Sequence, residues 1–274
     1  MLSMIFAREA WHRLQAACIK SVGMAQKCGI LCSENSRRIE SLRNIYAGNR
    51  CFLIGNGSSL KERDLDRIAG EKSFACNLIY KIYDRTVWRP TYYCISDPDM
   101  VSRYSCEIAE YVDSPIFTNH YQAVRWNGNR EKLLVLRGLL SGPYEVSDDL
   151  AMYYRPSKAT IMTMMMELAM YMGFTTIYLL GVDGTDSLCR NAHFSNDYFT
   201  CEYMKEKIES LETAENAGQY YVQKAESAYK VILSYARQKG ISIKNASRVK
   251  KLTVFPFQEF DDIEGLIQEE KQWL

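Results

Sequence analysis

The sequence has almost no excess of either charge: 34 Lys and Arg stand against 33 Asp and Glu in 274 residues, a formal net charge of +1. A general nucleic-acid binder is thereby disfavoured, because displacing counterions from a polyanion takes a broad basic face. Histidine is scarce, at three residues, and no Ser/His/Asp or Cys/His spacing supports a hydrolase triad. Nine cysteines are present, but they form no CxxC pair, their number is odd and their positions are scattered. A disulfide scaffold and a structural zinc site are both disfavoured. No uninterrupted apolar run reaches the ~18 residues of a membrane-spanning helix. The nearest, Ala159–Val182, is broken by Glu167 and by Gly173-Phe174-Thr175-Thr176, and reads as a buried helix followed by a buried strand. Internal repeats and low-complexity segments are also missing. With 47% hydrophobic residues, the composition is that of a folded globular protein.

Arg8, Glu9, His12 and Arg13 interrupt the apolar start too early for a signal peptide. Cys51, Cys76 and Cys94 fall at or inside expected core strands, so a reducing cytoplasm is the expected compartment. Residues 1–34 form a helical appendage, in which Ile5, Phe6, Ala10, Leu14, Ala17, Ile19 and Val22 recur with imperfect helical spacing among Arg8, Arg13 and Lys20. Two readings stand for it: a helix packed on the main domain or on another subunit, which is preferred, and a membrane-surface or partner helix.

A second helix, about 36–47, leads into the main domain. From there short apolar runs alternate with helical segments. The expected strands are 51–54, 73–76, 91–95, 115–118, 132–136, 176–180 and 241–244, and the expected helices include 60–68, 160–172 and 217–239. This alternation predicts an α/β fold: a Rossmann-like, doubly wound, mostly parallel sheet over residues 35–260, followed by a C-terminal tail, 261–274. Residues 137–158 and 184–202 are the long connections, which in such folds often cover the site.

Four expected strands end in polar or glycine-rich residues: Gly55-Asn56-Gly57-Ser58-Ser59, Asn77, Ser96-Asp97 and Gly181-Val182-Asp183. An open parallel sheet places its ligand crevice at the carboxyl ends of the strands, so these tips are expected to converge. Gly55 and Gly57 allow a sharp turn and close backbone approach, and the following helix start would offer N–H groups to an anion. The third glycine of a dinucleotide fingerprint and the lysine of a Walker loop are lacking. The turn therefore reads equally as a nucleotide-phosphate site and as a tight strand-to-helix connection.

Asp97-Pro98-Asp99 spells DxD, which can hold a divalent metal; the preferred reading makes Asp99 a helix cap and keeps Asp97 as a pocket residue. Asp183 is read as binding a hydroxyl or metal, or as satisfying backbone amides, the first being favoured. His193 is a candidate general base or a hydrogen-bonding loop residue. His12 is given no catalytic task, and His120 reads as a surface residue.

Four motifs resemble two related bacterial groups. Arg50–Leu60 resembles their GNGPSL start, and Cys76-Asn77-Leu78-Ile79-Tyr80 their CNxxY segment. Ala169–Asp183 resembles their AxxLGxxxIYLxGxD segment, and His193-Phe194 through Tyr198-Phe199 an HFxxDYF loop. One group is the CMP-sialic-acid-dependent sialyltransferases. The other is the MptE-like domain, named for hydroxymethylpterin pyrophosphokinases and found also in motility-associated glycosyltransferases and surface-polysaccharide proteins. The similarity spans about residues 35–257, with the motifs in family order.

The resemblance implies a nucleotide held at Asn56, Ser58 and Asn77, with no metal required if the chain is sialyltransferase-like. Lys158 stands near the sialyltransferases' arginine and is a candidate phosphate contact. Their catalytic histidine falls by spacing near Tyr221–Gln223, where this chain has none. His193, in the loop of the MptE-like group, makes that group the nearer match. The expectation is a cytoplasmic glycosyltransferase at or near the inner membrane face, with a nucleotide-activated (CMP-type) sugar donor and a surface-glycan acceptor. The rivals are a pyrophosphokinase with Mg²⁺ on Asp97 and Asp183, and a catalytically silent nucleotide-binding protein.

Overall fold

The computed structural model describes residues 33–139, 142–184, 217–263 and 265–266, together with helical positions between residues 10 and 25. In chain order the elements are α1 (Glu34–Glu40), β1 (Arg50–Ile54), α2 (Glu62–Arg67), β2 (Ser73–Cys76), β3 (Tyr92–Cys94), α3 (Pro98–Tyr111), β4 (Ile116–Asn119), α4 (His120–Ala123), β5 (Leu133–Leu136), α5 (Met162–Tyr171), β6 (Thr176–Leu180), α6 (Ala217–Gln238) and β7 (Ser242–Asn245). The seven strands form one sheet in the order β5-β4-β3-β2-β1-β6-β7, and every pairing is parallel. This is the expected Rossmann-like, doubly wound architecture.

Both faces of the sheet are covered, which is why its strands read as unbroken apolar runs. In β1, Cys51 and Leu53 enter one core while Phe52 and Ile54 enter the other. In β6, Ile177 and Leu179 oppose Tyr178 and Leu180 in the same way. The first core is closed by α5 and by Tyr229, Ile232 and Ala236 of α6. The second is closed by Leu65 of α2 and by Met100, Val101 and Ile108 of α3. Every residue of α5 is buried, and its methionines suit that position because the flexible thioether fills irregular gaps. Cys51, Cys76 and Cys94 are buried free thiols in these cores. Packing continues into the expected tail, where Ile263 and Leu266 join the second core.

The two edges of the sheet are occupied. At β5 the Asn35 carboxamide imitates a neighbouring strand: it accepts from Val135 N (2.8 Å) and donates to Val135 O (2.9 Å). At β7, Asn245 N donates to Pro256 O (2.8 Å) and Gln258 N to Asn245 O (2.9 Å). Such cover blocks edge-to-edge association. No helix among the described residues is long and apolar enough to cross a membrane.

Two local expectations are corrected. The helix expected over 36–47 ends at Glu40. The following residues turn instead, with Asn44 at φ +57, because Asn44 N, Tyr46 N and Gly48 N donate to Tyr171 O, Met172 O and Gly173 O at the end of α5. His120 is a half-buried clip between strand ends: Gly138 N donates to its Nδ1 (2.9 Å). Burial, with the Arg137 charge beside it, holds this imidazole below its usual pKa.

Candidate functional site

The chain builds β1 to β5 in one direction and then returns to place β6 on the other side of β1. The reversal opens a crevice beyond the carboxyl ends of β1 and β6, where open α/β sheets bind ligands. Gly55-Asn56-Gly57-Ser58-Ser59 and Gly181-Val182-Asp183 meet there. Gly55 N donates to Leu180 O and Gly57 N to Gly181 O, both at 2.8 Å. A Cβ on Gly57 would lie 2.6 Å from Gly181 O and from Asp183 Oδ2, so glycine is required for space. Gly181 is needed for conformation, since its φ of +64 lies in the left-handed region.

Asp183 is only 3% exposed. Its Oδ2 accepts from Ser59 N (2.9 Å) and Ser58 Oγ (3.4 Å), and its Oδ1 accepts from Ser59 Oγ. The carboxylate thus pins the β1 turn to the β6 turn. Of the two readings for Asp183, satisfaction of neighbouring backbone and hydroxyl donors is the one drawn in this geometry. The helix after the turn, α2, has six residues and carries Glu62 and Asp64 in its first turn. An anion in the crevice would therefore depend on the turns and side chains rather than on a helix N-terminus.

The crevice continues across β2 and β3. Asn56 is buried, and its Nδ2 donates to Cys76 O (3.2 Å) and to Cys76 Sγ (3.6 Å). Burial pushes that thiol up to about 12, so it stays neutral as a packing group. Asn77, at the end of β2, has φ +56. Its N–H donates to Cys94 O (3.2 Å) and its carbonyl accepts from the Tyr93 hydroxyl. The residue is half-buried. A non-glycine residue held in the left-handed region at a strand end is the kind of strain that collects at ligand sites.

Lys158 is exposed and also has a positive φ, +58. It follows the segment that pairs beyond the end of β5. Tyr154 pairs its backbone with Arg137 O and Leu139 N, each at 2.7 Å, beyond β5.

The helix cap expected at Asp99 falls at Asp97 instead. The cap of α3 is Asp97, whose Oδ1 accepts from Asp99 N and Met100 N, both at 3.0 Å. Pro98 dictates this: lacking an N–H and fixed in φ, it suits the first helical position, which makes the preceding residue the cap. The Asp97–Asp183 pair postulated for Mg²⁺ is thus split between a helix cap and a turn clamp. Among the described residues no group of three or more His, Cys, Asp or Glu is arranged to hold a metal ion. His193 lies outside the described residues.

Other supports of the site had no signal in the sequence. Ser247 Oγ accepts from Val182 N (2.8 Å), which fixes the β6 turn from the β7 side. Arg248 grips the buried Asp64 of α2 through Nε (3.0 Å) and Nη2 (2.5 Å). These are single polar residues far apart in sequence, and only the fold brings them to the crevice.

Fold and site together define a Rossmann-like α/β protein with a switch-point crevice lined by a glycine turn and a strained asparagine. No protein-family model matches the chain, and no curated protein does. Among solved structures it is similar to the monofunctional α-2,3-sialyltransferase Cst-I of Campylobacter jejuni, at 17% identity, covering 82% of this chain and 86% of that one, with a TM-score of 0.51. It is also similar to the sialyltransferase CstII of the same organism in complex with the substrate analogue CMP-3FNeuAc, at 14% identity, covering 82% and 93%, with a TM-score of 0.45. At these identities the likeness is one of fold.

Proposed function

We propose that the chain is a cytoplasmic glycosyltransferase that moves a sugar from a CMP-type nucleotide donor to an acceptor hydroxyl in bacterial surface-glycan assembly. The observation that carries this reading is Asn77, half-buried and held at φ +56 beside the Gly55–Ser59 turn. A strained polar group next to a glycine turn at a switch point suits the hydrogen-bonding edge of a nucleotide. The fold shared with the sialyltransferase Cst-I and the order of the four sequence motifs support the same reading.

In this scheme Asn77, Asn56 and the turn hold the nucleotide, and Lys158 offsets phosphate charge. The bond between the anomeric carbon and the donor phosphate oxygen breaks, and the acceptor oxygen bonds to that carbon. His193 takes the acceptor's proton, and the nucleotide leaves with the electron pair. Stabilising the charge of the departing nucleotide would supply much of the rate. Asp183 acts as a positioning residue through the Ser58–Ser59 turn, and no metal is required.

Transfer from CMP-sialic acid to a lactose-type acceptor, measured in EDTA and in Mg²⁺ for the wild type and His193→Ala, tests the scheme. Metal-independent transfer that falls on His193→Ala supports it. Transfer unchanged in His193→Ala refutes the base, and diphosphate transfer from ATP that needs Mg²⁺ refutes the reaction.

A further inference from the structure

Beyond the end of β5 the chain holds a buried cation that the described residues leave partly unpaired. Arg155 is 8% exposed, and its Nη2 donates to Glu145 Oε1 at 3.0 Å. Its Nε and Nη1 are buried with no hydrogen-bond partner among the described residues. Native interiors leave few donors in that state, and a charged group is the costliest to leave so. The position is held firmly on both sides. Tyr154, just before it, pairs its backbone with Arg137 O and Leu139 N at 2.7 Å each. Just after it, Pro156 restricts Arg155 to extended backbone, and Ser157 Oγ lies 2.9 Å from Thr163 Oγ1 of α5. Gly142, at φ +85, comes so near that a Cβ on it would lie 3.1 Å from Nη1.

Glu145 marks the chemistry that the unpaired donors accept. Nη2 is the corner shared by the two forks of a guanidinium, Nε with Nη2 and Nη1 with Nη2, and a carboxylate or phosphate fills such a fork with two oxygens. Glu145 supplies one oxygen, so both forks stay half-used. Its side chain is 46% exposed, and an ion pair open to water on one side holds weakly. The backbone around Glu145 is fixed independently, because buried Glu167 accepts from Tyr144 Oη (2.7 Å) and Ser147 N (3.2 Å). The Glu145 carboxylate is therefore free to turn into water without disturbing those bonds. A water molecule in its place would meet one N–H and leave the charge unmatched, whereas an oxyanion meets both.

We propose that Arg155 anchors an oxyanion site, which takes the carboxylate or phosphate group of a ligand in place of the Glu145 carboxylate. The site lies apart from the glycine turn. In the sheet β5 stands four positions from β1, about 19 Å away at ~4.8 Å per strand. It is therefore independent of whether a nucleotide occupies the crevice. Until a ligand binds, Glu145 neutralises the cation and spares the fold an unmatched buried charge.

Thermal unfolding of the full chain is the test, with inorganic phosphate and glucuronate each titrated at constant ionic strength to about 50 mM, enough to reveal millimolar affinity by mass action. The wild-type midpoint should rise with at least one of them. A rise with phosphate alone identifies a phosphate group, and a rise with glucuronate alone a carboxylate. Arg155→Met should abolish the rise. Arg155→Lys should weaken binding at least about tenfold, because an ammonium does not fill a planar fork. Glu145→Gln should bind severalfold more tightly, since a neutral amide competes less for Nη2. Its half-exposed side chain leaves the fold intact, so this variant keeps the test decisive should Arg155→Met fail to fold. No response of the wild type to either anion, an equal response in Arg155→Met, or binding indifferent to Glu145→Gln would overturn the proposal.

Discussion

The backbone N–H and the hydroxyl of Ser59 both donate to the carboxylate of Asp183, across 124 positions of sequence. This pair closes the two turns at the strand-order reversal into one rigid wall. Asp183→Ala leaves two buried donors unmet, each costing about 1–3 kcal/mol, and should lower Tm and weaken nucleotide binding together. Asp183→Asn keeps the shape and one acceptor, and should lose less of both. A variant with normal stability and affinity but no transfer would instead make Asp183 a group that touches the reacting atoms.

Gly57→Ala tests the closeness of the same wall. The added methyl would lie 2.6 Å from Gly181 O and Asp183 Oδ2, and neither the β6 backbone nor the pinned carboxylate can withdraw. Overpacking of this kind costs about 1–3 kcal/mol. Chemical denaturation should report that loss, accompanied by reduced nucleotide affinity. Unchanged stability would show that the two turns are less tightly joined.

Asn77 separates backbone strain from ligand contact. Asn77→Gly relieves the positive φ but removes the carboxamide, so stability should hold or rise while CMP affinity falls by roughly tenfold, the value of one well-placed hydrogen bond. Asn77→Ala should lose the same affinity and also some stability, because alanine is strained at φ +56. Affinity unchanged in Asn77→Gly would remove Asn77 from the binding site.

Glu167 should make stability depend on pH. Buried in α5, it accepts from Tyr144 Oη (2.7 Å) and Ser147 N (3.2 Å), and burial raises its carboxyl pKa from 4.5 to about 8 despite those bonds. The folded state therefore keeps a proton that the unfolded chain releases. Stability is highest below the unfolded pKa and declines as pH rises through the window from 4.5 to about 8. Denaturation midpoints across that window should fall in the wild type and stay level at this site in Glu167→Gln. Parallel profiles for the two proteins would contradict the assignment.

Much of the fold was legible because burial on both faces leaves a strand as a plain apolar run. Ser73–Cys76 and Thr176–Leu180 have the expected bounds. The 36–47 segment was misread because its helical composition competes with backbone partners at the end of α5, which no local pattern reveals. Asp97 was legible in hindsight, since Pro98 marks the first helical position. At the site, the glycine turn and Asn77 could be singled out by residue type and place. The Ser59–Asp183 clamp could not, because a carboxylate after a strand looks the same whether it awaits a ligand or holds a neighbouring turn. The Asn35–Val135 edge cover was equally invisible, being one carboxamide a hundred positions from its partner.

Equilibrium binding of CMP, UDP and ATP, each in EDTA and in Mg²⁺, to the wild type and Asn77→Gly tests the central claim most directly. The crevice described above predicts that CMP binds in EDTA, that Mg²⁺ changes its affinity little, and that Asn77→Gly weakens it by roughly tenfold. Binding of ATP alone, and only with Mg²⁺, or of no nucleotide at all, would contradict it.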